Sequence, residues 1–239
     1  MLYQVGTLQS LMAGVDEGDR SLVELRQYGD FGLGTFDGIN GELIVIDGKF
    51  WIADGKGNLR EAEVWERTPF AVLTFFSPER RFSLDHFENM DALTSVLLEY
   101  FDSQNLIYAL KIRGKFVRLH LRSERRHGVK HRPLTELLPT VQTEFTLEQS
   151  QGEIVGFWFP HYMRSINLPG FHFHYLDRMR SRGGHLFDAT GNDLTIELMT
   201  IHDFGMHLLQ TPLFEKAKLE AEDSEMIFRM ESGKKRRQK

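Results

Sequence analysis

A chain of 239 residues with 41% hydrophobic content is long enough for one sizeable core or two small lobes fused across a cleft, and its net charge of -5 excludes a general attraction to nucleic acid or anionic membrane. The absence of cysteine excludes disulfides and thiolate ligands, so a soft-metal site must be built from histidine with carboxylate or water. No apolar run approaches the ~18 residues of a membrane span, and Met1 to Gly6 lacks the basic and apolar regions of a secretory signal, so a cytoplasmic protein is expected. The terminal basic run Lys234 to Lys239 reads as a solvated tail without a nucleic-acid role.

Helical spacing of Leu8, Leu11, Met12 and Val15 predicts a short helix over Thr7 to Val15. A second follows, because Ser21 and Glu24 have capping-box spacing and Gly29 is a plausible stop. The period then changes to two. Gly32 to Phe36, Glu42 to Ile46 and Lys49 to Ala53 read as strands separated by Asp37-Gly38, Asp47-Gly48 and Asp54-Gly55, each supplying the positive φ of a tight turn. Thr68 to Phe76 reads as a central strand. Met90 to Phe101 reads as the clearest helix, with Leu93, Val96, Leu97, Tyr100 and Phe101 on one face. Gly114-Lys115 suggests a hairpin between Leu106 to Arg113 and Phe116 to Arg122, and Ser123 to Pro139 reads as an irregular basic connection. Beyond it, Glu144 to Leu147, Ile154 to Phe159, Gly170 to Leu176, Gly184 to Asp188 and Leu194 to Ile201 form a second strand-rich half. The expected class is α+β, with two lobes of mixed or antiparallel sheet and a few flanking helices: 1–125 and 126–239.

The most informative feature lies in the second half. In a strand over Phe171-His172-Phe173-His174-Tyr175, the two imidazoles share one face and the three aromatic rings the other. If Asp177 to Gly184 is a hairpin loop, His185 returns opposite His174, and three nitrogens converge as they do around a catalytic zinc. On spacing alone, packed or surface histidines explain the pattern as well as a metal site does.

Gly170-Phe171-His172-Phe173-His174-Tyr175 with Arg182-Gly183-Gly184-His185 strongly resembles the α-acetolactate decarboxylases. The likeness covers nearly the whole chain. It includes Gly32-Leu33-Gly34-Thr35, Gly41-Glu42-Leu43, Asp47-Gly48-Lys49-Phe50, Thr68-Pro69-Phe70-Ala71-Val72, Gly156-Phe157 and Asn167-Leu168-Pro169. The resemblance implies a zinc-dependent enzyme of acetoin and butanediol biosynthesis that converts 2-acetolactate to acetoin and carbon dioxide, built as a homodimer with the metal between two mixed-sheet lobes. Carried over residue by residue, it implies His172, His174 and His185 as zinc ligands, Glu42 and Glu231 as active-site glutamates, Arg122 as the substrate arginine and Thr35 as an active-site threonine. One region departs from the family pattern, Ser123-Glu124-Arg125-Arg126-His127-Gly128 with His131-Arg132-Pro133, so Arg122 is placed by the strand before it. Without the resemblance, Glu42 and Arg122 read as solvated strand charges and Thr35 as a strand residue before a turn. A cupin-like metalloenzyme acting on a small organic acid is the alternative. Its H-x-H strand usually continues to a glutamate, where this chain supplies only Asp177.

Overall fold

The computed structural model describes residues 1–128 and 132–219. In chain order the elements are β1 (Leu2–Val5), α1 (Leu8–Met12), β2 (Arg20–Ser21), α2 (Leu22–Leu25), β3 (Phe31–Thr35), β4 (Glu42–Ile46), β5 (Lys49–Ala53), β6 (Leu59–Glu61), β7 (Arg67–Thr68), β8 (Phe70–Thr74), β9 (Arg80–Phe87), α3 (Met90–Glu99), β10 (Ile107–Glu124), α4 (Leu134–Val141), β11 (Gln142–Phe159), β12 (Gly170–Asp177), β13 (Gly183–Ile201), β14 (Phe204–His207) and α5 (Pro212–Lys216). A seven-stranded sheet has the order β14-β1-β8-β3-β4-β5-β6, with β1 and β14 parallel and the other pairs antiparallel. A five-stranded sheet has the order β10-β11-β12-β13-β9, and β10 also pairs with β13, so four of its strands close on themselves. Strands β2 and β7 form a small third sheet. The sheets partition the chain differently from the expected halves: β9 and β10 join β11 to β13, and β14 returns to β1.

Local chemistry accounts for the first sheet. Asp47 and Gly48, with φ of 50° and 73°, form the two-residue turn that joins β4 to β5 in the register Ile46↔Lys49. At Asp54-Gly55 the positive φ falls instead on Gly57, and the Asp54 carboxylate accepts the backbone N–H groups of Lys56 and Asn58. The second helix starts as expected. Glu24 accepts hydrogen bonds from the Ser21 backbone N–H at 2.9 Å and its hydroxyl at 2.6 Å, but the helix ends at Leu25, before Gly29.

The second sheet corrects three expectations. Gly114-Lys115 is not a turn, because β10 runs unbroken through it for 18 residues, and a Cβ on Gly114 would stand 2.2 Å from Leu194 Cδ2. Its missing side chain admits a packing neighbour. The predicted strands around 144–147 and 154–159 belong to one 18-residue strand, β11, and those around 184–188 and 194–201 to one 19-residue strand, β13. The connection expected over Ser123 to Pro139 contains α4, whose buried Leu134, Leu137, Leu138 and Val141 bury its apolar face.

Alternation sorts the strand faces into separate cores. Phe31 and Leu33 of β3 and Ile44 and Ile46 of β4 pack against Val155, Phe157 and Leu176 of the second sheet, while Leu43 and Val45 face the opposite side. Thr35 and Glu42, paired in register, therefore also point towards the second sheet. Phe173 and Tyr175 enter the core of the closed strands, each such burial contributing about 1.5–3 kcal/mol, which leaves His172 and His174 facing the first sheet.

Candidate active site

His174 and His185 are direct cross-strand partners, as the hairpin reading predicts, and Arg122 is in turn the direct partner of His185. A row Arg122, His185, His174 thus crosses β10, β13 and β12. His172 stands two residues along from His174 on the same face. The three imidazole centroids are 5.0, 5.0 and 5.3 Å apart, nearly an equilateral triangle, and one ring nitrogen from each residue lies within 4.8 Å of the others. Gly184 permits the approach, since a Cβ there would stand 2.5 Å from the Arg122 carbonyl oxygen.

Two irregularities aim these side chains. Along β10 the residues packed in the enclosed core are even-numbered up to Phe116 and odd-numbered at Leu119 and Leu121, because the register with β13 shifts between Phe116 and Arg118. That shift turns Arg122 out of the core and towards the first sheet. A second shift, with Phe187 as the extra residue between the pairs His120↔Asp188 and Leu121↔Leu186, turns His185 to the same side.

The histidine cluster fits a metal ion by its chemistry. His172, His174 and His185 are all buried, and burial, followed by the charge of Arg122, pushes the His172 imidazole down to about 3, so that the ring is neutral and its lone pair available. The Leu43 carbonyl accepts a hydrogen bond from His174 Nδ1 at 2.9 Å, which leaves the lone pair on Nε2. With no thiolate in the chain, three neutral nitrogens form a donor set suited to zinc.

The first sheet brings the other groups. Glu42, 5% exposed, places Oε2 3.3 Å from His174 Nε2 and Oε1 3.8 Å from Arg122 Nε. Arg122 is 4% exposed, donates from Nη1 to Gln142 Oε1 at 3.1 Å and lies over the Phe187 ring at 5.3 Å. Arg118 shares its strand face but is exposed, so position along the strand separates the two arginines. The Thr35 hydroxyl donates to the Gly41 carbonyl at 2.9 Å, fixing the residue immediately before Glu42. Thr35, Glu42, Arg122, His172 and His185 line one cavity whose apolar end is made by Leu8, Leu11, Ile39, Leu134, Leu138 and Leu168. Glu231 lies outside the described residues.

Sequence reasoning missed Glu124 and Gln142. Glu124 is 3% exposed, lines the same cavity and places Oε1 3.4 Å from Arg122 Nε. The available signal was its position two residues beyond Arg122, hence on the same strand face. His86, His120, His127 and His207 lie elsewhere, against Asn192, Glu144, Asp16 and Asp19 respectively.

The chain as a whole is similar to known proteins. The family model for alpha-acetolactate decarboxylase matches residues 2–221. The alpha-acetolactate decarboxylase of Brevibacillus brevis is 33% identical over 235 residues, 98% of this chain and 82% of that one. The crystal structure of alpha-acetolactate decarboxylase from Bacillus subtilis strain 168 superposes with a TM-score of 0.93 at 34% identity, covering 96% of this chain and 98% of that one. A Staphylococcus aureus protein of unknown function, described as similar to alpha-acetolactate decarboxylase, superposes with a TM-score of 0.87 at 32% identity over 92% of this chain and 94% of that one.

Proposed function

We propose that this chain, which belongs to the alpha-acetolactate decarboxylase family, converts 2-acetolactate to acetoin and carbon dioxide with zinc held by His172, His174 and His185, as a step of acetoin and butanediol biosynthesis. The observation that carries the reading is the meeting of a three-imidazole cluster, the Glu42 carboxylate and the Arg122 guanidinium in one buried cavity. The cupin-like alternative loses its support to the family match, and the carboxylate beside His174 comes from β4 rather than from the histidine strand.

The substrate is a β-keto acid, and its loss of carbon dioxide leaves an electron pair that must pass into the neighbouring carbonyl. Zinc held by the three histidines would supply Lewis acidity towards the substrate oxygens. Arg122 binds the leaving carboxylate through its planar fork and orients the scissile bond. Glu42 delivers a proton to the carbon that bore the carboxylate, on the face where it stands, and Glu231 shares that role. Thr35 lines the cavity and, through Gly41, holds the entry to the Glu42 strand in place. The expected homodimer and cytoplasmic location belong to the same proposal and are read by light scattering and cell fractionation. No helix among the described residues is long and apolar enough to cross a membrane.

Acetoin production from 2-acetolactate, followed with zinc-loaded and chelator-treated protein, tests the function. Zinc-dependent acetoin formation is expected. A zinc-loaded protein that forms none refutes it.

A further inference from the structure

Glu124 stands at the end of β10, buried in the cavity wall, and Arg122 is its ion-pair partner at 3.4 Å. The Glu124 Oε1 atom accepts no hydrogen bond among the described residues. A carboxylate withdrawn from water in this way is costly to keep unless it acts on a neighbouring charge. The neighbour is Arg122, whose Nε edge also faces Glu42 at 3.8 Å and whose Nη1 is held by Gln142, the residue directly opposite Glu124 across β10 and β11.

The charge balance of the reaction gives this contact a purpose. The substrate carboxylate is an anion when bound and leaves as neutral carbon dioxide, so its negative charge declines towards the transition state. An arginine at full strength would therefore stabilise bound substrate more than transition state, and that difference raises the barrier. Building on the decarboxylase reading, we infer that Glu124 is a positioning residue: it holds the Nε edge of Arg122 and offsets part of its charge, so that the arginine orients the leaving carboxylate without over-binding it.

Glu124→Gln removes the charge and keeps the shape, while Glu124→Asp keeps the charge. Two readouts are needed: steady-state acetoin formation by the zinc-loaded enzyme, and calorimetric binding of 2-hydroxy-2-methylbutanoate, a hydroxy acid without the ketone that decarboxylation requires. In Glu124→Gln the analogue binds about 3- to 10-fold tighter, KM falls by a similar factor, and kcat falls by up to that factor because the transition state retains part of the carboxylate charge, the scale expected when a nearby charge is removed in a partly screened site. In Glu124→Asp, binding and KM stay near wild type. Unchanged or weaker analogue binding in Glu124→Gln overturns the inference, as does an equal loss of activity in both variants accompanied by a lower melting temperature. A wild-type enzyme that makes no acetoin defeats the decarboxylase reading instead, and the analogue titration still decides the role of Glu124.

Discussion

Arg122→Lys keeps a positive charge in the cavity and removes the planar fork. In the wild type the guanidinium is held by stacking over Phe187 at 5.3 Å, by Nη1 donating to Gln142 at 3.1 Å, and by carboxylates of Glu124 and Glu42 at 3.4 and 3.8 Å from Nε. A lysine ammonium can still answer the two carboxylates, so folding and metal content are expected to survive. It cannot stack, and it cannot present two parallel N–H groups to a substrate carboxylate. Loss of one charge-assisted hydrogen bond costs about 1.5–3 kcal/mol, which at about 1.4 kcal/mol per tenfold is roughly 10- to 150-fold in kcat/KM. Arg118 is the internal control. It is exposed, lies opposite Thr190, and stands four residues, roughly 13 Å, along the same strand, so Arg118→Lys should remain within about twofold of wild type. Acetoin formation measured beside zinc content for both variants separates the outcomes. A normal Arg122→Lys enzyme beside a crippled Arg118→Lys one would show that the wrong arginine had been assigned to the carboxylate.

Replacing His172, His174 or His185 by alanine is expected to lower bound zinc and activity together while the fold persists, and elemental analysis showing stoichiometric zinc in all three variants would remove them as ligands. Glu42→Gln keeps shape and hydrogen-bonding capacity but carries no transferable carboxyl proton, so turnover should fall roughly 10²- to 10⁴-fold with zinc retained; wild-type turnover would exclude Glu42 from proton delivery. At the second helix, hydrogen bonds from the Ser21 hydroxyl and backbone N–H, and then Arg20, lower the Glu24 carboxyl from its ordinary 4.5 to about 2. Its stabilisation is therefore full above pH 4.5 and is lost as the pH falls towards 2, so thermal melts should place Glu24→Ala about 0.5–1 kcal/mol below wild type at pH 7, a modest figure because solvent screens this half-exposed side chain, with the gap narrowing below pH 4.5. A gap that does not change between pH 7 and pH 3 would contradict that assignment.

The parts of the site that depend on period and local turn chemistry were legible in the sequence. Alternation alone puts His172 and His174 on one face and Phe173 and Tyr175 on the other, and a short loop after Asp177 brings His185 opposite His174. Ser21 and Glu24 meet as capping partners because three-residue spacing fixes that contact within a single turn. The 18- and 19-residue strands were not legible. A glycine that admits Leu194 against the backbone looks, in one dimension, the same as a glycine that turns the chain, and a long strand that moves from the enclosed core to the intersheet face gives no single apolar period to follow.

The bulges expose the deeper limit. Extending the alternation of the even-numbered core residues Tyr108, Leu110, Ile112 and Phe116 would send Arg122 into the enclosed hydrophobic core, where an unpaired guanidinium could not be accommodated. The register shift after Phe116 reverses that parity, and the extra residue Phe187 reverses it for His185, which would otherwise share the inward side of Ala189. Both irregularities are required for Arg122, His185 and His174 to lie in one row opposite Glu42. Strand periodicity written in the sequence builds the barrel-like core, whereas the departures from it aim the polar side chains at the first sheet. A residue such as Glu124 gains its neighbours only after those departures are in place, so in sequence it falls within the irregular connection expected over Ser123 to Pro139, and in the fold it is part of the cavity wall.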